Sequence, residues 1–411
     1  MRGGMALQRP IRVLAVDDSA VMRGVLRTLF ALHAEKRWRE LPEMELCGVV
    51  EDGVECLAAV LRLRPDVVVL DLEMPRMHGL DVLERLRLEE PGLPVIMCSA
   101  YTEGGARTTL EALALGAADY VMKPGAQRDF AAAMETLARQ LLPKIAALAE
   151  SGLRSGSLGG VKNLRPAGDA SPGNGAARGS AIQVEIVVIG VSTGGPSALE
   201  AMLPRLAKDF PVPVMIVQHM PKLFTGALAE RLDRCCGLRV CEAHDGADVR
   251  AGTIWLAPGD AHMEVAESAN GSARGAVVRL HQQKSLNHSK PSVDYLLGSA
   301  ARMYGAGTLA VVMTGMGADG LAGARLVHEA GGTVLTQDRA TSAVWGMPGR
   351  VFAAGISREP LPLGALAGEL TRRVQVGRRM SARACALAIA GPLPDKMVAM
   401  PVTREVMHGL L

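Results

Sequence analysis

Three side chains able to serve as nucleophile, base and orienting acid lie far apart in the chain, each just beyond a run of apolar residues. The first is Ser192, in Gly190-Val191-Ser192-Thr193-Gly194, a G-x-S-x-G turn between the run VEIVVI and the helix-like stretch PSALEAM. A turn of this kind lifts a serine hydroxyl clear of a sheet. A neutral hydroxyl attacks esters poorly, so it needs a base within reach. His219 follows the run VPVMIV in Gln218-His219-Met220-Pro221, and Asp319 follows TLAVVM in a glycine-rich turn. At neighbouring strand ends, His219 can take the Ser192 proton while Asp319 holds the imidazole tautomer and stabilises its cation. The Thr193 N–H and the neighbouring glycine amides are then candidates for an oxyanion hole.

The same glycines could instead hold a phosphate. The residues argue against it. Ser192 stands where a dinucleotide fingerprint needs its middle glycine, the next strand ends in Gln218-His219 with no acid, and no Lys-Ser or Lys-Thr follows the glycines. Structural roles stay open: an N-cap with Pro196 in the first turn, a core histidine at 219, a cap at Asp319.

A second group is acidic. Asp17 and Asp18 follow IRVLAV, and Asp71 follows VVVL. In an open parallel sheet these strand ends meet on one edge. Three crowded carboxylates are unfavourable without a cation, and hard oxygen ligands favour Mg²⁺. Ser99 ends the next apolar run, VIMCS, and Lys123 ends the one after, DYVMKP, with Tyr120 three residues earlier. Taken singly, each has an ordinary role as a cap, a solvated lysine or a core tyrosine.

The elements that must position these groups are legible as a pattern. With 411 residues the chain is too long for one ordinary core. Residues 10–140 alternate uninterrupted Val, Ile and Leu runs with amphipathic stretches, as buried parallel strands and helices do. Residues 141–183 turn rich in Gly, Ser, Ala and Pro and read as a flexible linker. A second such series fills 184–372, where TIWLAPGD followed by HMEVAE is a hairpin candidate, and 373–411 form a basic, irregular tail without assigned function. The expected fold is therefore α/β: two doubly wound, mainly parallel-sheet domains, one flavodoxin-like and one a Rossmann-like three-layer domain with a β-hairpin, joined by a flexible linker.

Composition narrows the function. A net charge of +3 over this length implies no polyanionic partner, and no apolar stretch reaches membrane-span length. Seven scattered cysteines without a C-x-x-C pair read as reduced thiols in a cytoplasmic protein.

The motifs VDDS, DLEMP, the Ser99 strand end and KP resemble a two-component receiver domain. GVSTGGPSAL, QHMP, APGD, HSKPSVD and TGMGADG resemble the catalytic domain of the chemotaxis-type protein-glutamate methylesterases. Receiver and catalytic motifs stand in that family's order and span about 90% of the chain. The resemblance implies that Asp71 is the phosphoacceptor. It further implies that Asp18, Asp71 and the Glu73 backbone carbonyl hold Mg²⁺, with Asp17 just outside the direct ligands, and that Ser99 and Tyr120 form the switch beside Lys123. In the output half it implies Ser192 as nucleophile, His219 as base, Asp319 as its partner and Met316 lining the oxyanion region. The implied reaction is hydrolysis of glutamate γ-methyl esters on the cytoplasmic domains of methyl-accepting chemoreceptors, with glutamine deamidation in many members and a histidine kinase as phosphodonor. His288, Pro291, Ser292 and Asp294 fall in the HSKPSVD motif, where a capping or structural job is expected. The stretch ALHAEKRWRELPEMELCG is somewhat long for a receiver and should not touch its phosphorylation site.

Together the halves suggest a receiver that packs against the catalytic domain and obstructs Ser192 until Asp71 is phosphorylated. The alternative is a response regulator with a non-catalytic nucleotide- or protein-binding output. A DNA-binding output is disfavoured, because the second half alternates strands and lacks a basic recognition segment.

Overall fold

The computed structural model describes residues 9–155 except 36 and 125–129, and residues 183–389 except 269–274, 286 and 288. His288, most of the expected linker (156–182) and the end of the tail (390–411) lie outside the described residues.

The first half alternates strands β1 (Ile11–Val16), β2 (Met44–Val50), β3 (Val67–Asp71), β4 (Val95–Ser99) and β5 (Asp119–Met122) with helices α1 (Ala20–Ala34), α2 (Gly53–Leu63), α3 (Gly79–Glu89), α4 (Glu103–Ala114) and α5 (Phe130–Ser155). The sheet is parallel, in the order β2-β1-β3-β4-β5. Every residue of β3 and β4 is buried, which is why those strands read as unbroken apolar runs. The order reverses between β1 and β3, so Asp17, Asp18 and Asp71 emerge at a topological switch point.

The second half contains β6 (Ile186–Val191), α6 (Gly195–Met202), β7 (Val214–Gln218), α7 (Lys222–Cys235), β8 (Arg239–Glu242), β9 (Thr253–Leu256), β10 (His262–Glu267), β11 (Ala276–His281), α8 (Val293–Tyr304), β12 (Thr308–Val312), α9 (Leu321–Glu329), β13 (Thr333–Thr336), α10 (Met347–Ala353) and α11 (Leu363–Ile389). Its parallel sheet has the order β13-β12-β6-β7-β9-β8. The chain winds one way from β6 through β7 and the other way through β12. Ser192 therefore leaves β6 at the crevice where a ligand site is expected.

Three sequence expectations change. The hairpin is β10–β11, not β9–β10. β9 is hydrogen-bonded on both edges, to β7 and to β8, and has no edge left to share. Helix α5 continues past residue 140 to Ser155, straight through Pro143. Leu141, Leu142, Ile145 and Leu148 are buried there, and their packing offsets the roughly 3 kcal/mol cost of an interior proline. At the other end, α11 runs through residue 372 to Ile389, so the start of the tail is helical rather than irregular.

The halves touch. Helix α4 packs on α6 and α7, which follow Ser192 and His219 respectively. Ser197 Oγ on α6 donates to the Leu113 carbonyl near the end of α4 at 2.8 Å. The Tyr120 ring stacks on Phe224 of α7 with centroids 4.7 Å apart. Val344 belongs to the same contiguous apolar cluster as Leu148 and Ala149 of α5, and Met316 packs against that cluster.

Candidate functional site

The serine turn is held from three sides. Val191 pairs with Gln218 across β6 and β7, and the His219 N–H continues that ladder to the Val191 carbonyl at 3.2 Å. On the other side the Ser192 N–H donates to the Thr314 carbonyl at 2.9 Å. Thr314 Oγ1 donates to the Thr193 carbonyl at 2.9 Å, and Gln218 Nε2 to the Ser192 carbonyl at 3.1 Å. Gly194, at φ 74°, is the N-cap of α6, and no side chain caps that helix. The capping role for the Ser-Thr pair is thereby set aside. Gly315 lies so close that a Cβ on it would sit 2.8 Å from Ser192 Cβ, so the turn that carries Met316 can approach the serine only as glycine.

His219 and Asp319 meet as expected, His219 Nε2 lying 2.8 Å from Asp319 Oδ2. Asp319 is nearly fully buried. Burial works against its charge. The His219 ring, the Val293 N–H and the Ser292 hydroxyl outweigh that cost and hold its carboxyl well below the usual range. Its Oδ1 also receives the N–H groups of Gly320 and Asp294, at 3.0 and 3.2 Å. The first amides of α8 thus point at an anion, the favourable end of the helix dipole. The capping role foreseen for Asp319 and its pairing with His219 coexist.

This arrangement determines which imidazole nitrogen can act. An ionised Asp319 can only accept, so Nε2 carries the ring proton and Nδ1 keeps the lone pair. No hydrogen bond joins Ser192 Oγ to His219 among the described residues. Such bonds are often long until substrate arrives. Among the described residues the N–H groups of Thr193 and Met316 also have no partner, whereas those of Ser192 and Gly195 are already used.

In the first half, Asp17, Asp18 and Asp71 each place a carboxylate oxygen within 4.8 Å of the others. Lys123 Nζ lies 2.7 Å from Asp71 Oδ2 and 2.9 Å from Asp17 Oδ2. Burial, with the nearby Asp17 charge, pushes Asp71 up to about 6 against the pull of Lys123. Such a crowded, oxygen-only donor set fits Mg²⁺. Ser99 faces the other way: its Oγ lies 2.8 Å from Thr109 Oγ1 and 3.3 Å from the Gly105 carbonyl, both on α4. Tyr120 is buried, its carbonyl accepting from Lys144 Nζ at 2.7 Å. The long α1–β2 connection packs through Trp38 and Leu41 against the receiver core, and His33 Nε2 lies 2.9 Å from the Pro42 carbonyl.

Several residues escaped the sequence reading. Gln218 and Thr314 stand in the QHMP and TGMGADG motifs, but they hold the nucleophile turn through backbone carbonyls, a role the motifs do not reveal. Ser292 stood in a flagged motif, but its contact with Asp319 spans 27 residues and no local pattern reveals it. Asp294 accepts from the Gly323 N–H at 2.7 Å and from Asn287 Nδ2 at 3.0 Å, a structural role of the kind expected for it.

A receiver-type carboxylate cluster joined to a serine–histidine–aspartate site defines a response regulator whose output half is an enzyme. A family model described as CheB methylesterase matches residues 187–370, and one described as response regulator receiver domain matches residues 13–135. A protein-glutamate methylesterase/protein-glutamine glutaminase of Trichodesmium erythraeum is 41% identical over 366 residues, covering 88% of this chain and 99% of that one. One of Nocardioides sp. is 42% identical over 372 residues, covering 89% and 95%. The crystal structure of the Thermotoga maritima CheB methylesterase catalytic domain is 42% identical, covers 46% of this chain and 99% of that chain, and has a TM-score of 0.44. The chain belongs to the CheB methylesterase family and carries that family's receiver domain, which sets aside a non-catalytic output. No helix among the described residues is long and apolar enough to cross a membrane.

Proposed function

We propose that this protein hydrolyses glutamate γ-methyl esters on chemoreceptor cytoplasmic domains, in the cytoplasm, through an acyl-enzyme on Ser192. The observation that carries the reading is the His219–Asp319 pair at 2.8 Å beside the serine turn. Ser192 Oγ attacks the γ-carbonyl carbon while His219 Nδ1 takes its proton. The oxyanion that forms accepts from the N–H groups of Thr193 and Met316. Collapse breaks the C–O bond, and the imidazolium returns the proton to the leaving methoxide as methanol. A water then gives its proton to His219, attacks the acyl carbon and frees Ser192 and a glutamate carboxylate. A glutamine side chain passes through the same acyl-enzyme with loss of ammonia.

Control lies in the receiver. Asp71 accepts a phosphoryl group from a histidine kinase, and Lys123 offsets the added charge. Asp18, Asp71 and the Glu73 carbonyl would hold Mg²⁺, with Asp17 adjacent, and the ion would supply neutralisation of charge on that group. Ser99 and Tyr120 respond, and α4 with them. Because α4 rests on the helices that follow Ser192 and His219, the unphosphorylated receiver obstructs the approach to the serine. The direct test is methanol release from a methylated receptor domain with and without a small acyl phosphate. Asp71→Asn should abolish the response to the donor and leave basal turnover intact; a variant that still responds would place the phosphoryl group elsewhere.

Two further results are expected. Removing the Ser197 hydroxyl deletes one hydrogen bond between the halves. Such a bond contributes about 1 kcal/mol, so Ser197→Ala should raise basal methanol release by up to about fivefold. Unchanged or lower basal turnover would mean the contact does not hold the enzyme off. The raised Asp71 means that the folded receiver favours its protonated form. That contribution is present below the usual value of 3.8 and lost as pH rises through about 6. At pH 7 in metal-free buffer, Asp71→Asn should therefore unfold a few degrees higher than wild type. Millimolar Mg²⁺ should raise the wild-type midpoint and leave the variant's almost unmoved, as followed by thermal melts. A wild type indifferent to Mg²⁺ would count against the metal site.

A further inference from the structure

Ser292 occupies the N-cap position of α8, where a serine ordinarily turns its oxygen toward the N–H groups of its own helix. It does not do so here: α8 has no side-chain cap bond. The Ser292 hydroxyl instead donates to Asp319 Oδ1 at 2.8 Å, from a fully buried position. Asp319 performs the capping, taking the Val293 N–H on Oδ2 at 2.8 Å, on the same oxygen that meets His219. The backbone donors would face Asp319 whatever residue stood at 292. The hydroxyl is the one donor to Oδ1 that depends on the side chain chosen there.

Ser292 is itself anchored from behind. Its N–H donates to Nδ1 of His262, a fully buried residue of β10, at 3.1 Å. The His262 ring packs against Tyr295, with centroids 4.4 Å apart, and against His281 at 5.2 Å. Accepting at Nδ1 requires a neutral ring, and burial, with the charges of His281 and Lys290, pushes His262 down to about 4. It therefore stays an acceptor throughout the neutral range.

We propose that Ser292 is a positioning residue for the hydrolysis, fixing the rotation of the Asp319 carboxylate so that Oδ2 keeps His219 aimed at Ser192, with His262 fixing Ser292 in turn. This rests on the reading of Asp319 as the partner of His219. Among the described residues the hydroxyl makes no hydrogen bond to His219 or Ser192, and its one hydrogen bond is to Asp319. Without it, Oδ1 loses its shortest donor. The carboxylate, left to the longer backbone donors of Gly320 and Asp294 on that oxygen, is held less firmly against rotation about its Cβ–Cγ bond, and the direction of the imidazole is less sharply fixed. Ser292 and His262 are both fully buried, so the effect is expected on the chemical step and not on receptor binding.

The test compares Ser292→Ala in the full-length protein, alone and combined with His219→Ala, using methanol release from a methylated receptor domain. Ser292→Ala should lower kcat roughly ten- to a hundredfold, the worth of a hydrogen bond to a charged group, with KM within about twofold of wild type. In the His219→Ala background the same change should cost nothing more, since there is no imidazole left to aim. His262→Asn, which keeps an acceptor near the Nδ1 position, should retain more of kcat than His262→Leu. Thermal melts identify any variant that has failed to fold, and Ser292→Ala removes only one oxygen. A wild-type kcat in Ser292→Ala, or an equal loss in both backgrounds, would overturn the proposal. If Asp319→Asn also left kcat untouched, the fault would lie with the triad itself and not with Ser292.

Discussion

Ser192→Ala should reduce methanol release by roughly a hundred-thousandfold or more, the scale seen when an activated serine is removed from a hydrolase. In the proposed mechanism the hydroxyl is the atom that forms the acyl bond. Thr193 comes next in the chain, but it is buried and its carbonyl is tied to Thr314. What remains is the attack of water helped by the amides of Thr193 and Met316, a residual rate well above the uncatalysed one. The turn should survive the change. Its shape comes from the Ser192 backbone, held by Thr314 and Gln218, and from Gly194 at its positive φ. Receptor binding and the melting midpoint should therefore stay at wild-type values. A variant that keeps even a tenth of wild-type turnover would move the nucleophile to another residue.

Asp319→Asn should cost roughly ten-thousandfold in kcat, the loss known when an orienting aspartate is made neutral. An amide presented to His219 Nε2 either clashes through its NH₂ or forces its oxygen into place without the charge that stabilises the imidazolium. The base then has the wrong tautomer or a weaker one. Asp319 also accepts from the first amides of α8, so the substitution should lower the melting midpoint by a few degrees as well. The two losses separate cleanly. Below the melting transition the protein remains folded by circular dichroism, and activity should still be absent. Activity that tracks the folded fraction would reduce Asp319 to a capping residue.

Both residues were visible in the sequence for the same reason. A parallel sheet brings its strand ends together, so Ser192, His219 and Asp319 could be matched without knowing any contact. The same held for Asp17, Asp18, Asp71 and Lys123. Roles exercised on backbone atoms could not be read: Gln218 and Thr314 stand in quoted motifs, yet their support of the turn by holding carbonyls left no sign there. Ser292 showed only a motif, because its partner lies 27 residues on. The imidazole nitrogen in use also could not be read, since it depends on which side Asp319 approaches. Pattern failed where packing overrode local preference. Residues from 141 onward read as linker, yet α5 carries on through Pro143 because Leu142 and Ile145 on either side of it are buried. TIWL reads as half of a hairpin, yet β9 is claimed on both edges.

The acyl-enzyme can be tested by adding hydroxylamine as a competing nucleophile during turnover. A glutamyl group carried on Ser192 must choose between water and hydroxylamine after its leaving group has gone. The ratio of hydroxamate to free acid should then be the same for a methyl ester and an ethyl ester of the same receptor glutamate, and Ser192→Ala should form both products only at its small residual rate. A ratio that changes with the departing alcohol would mean that water attacks the ester directly, and the covalent role of Ser192 would be wrong.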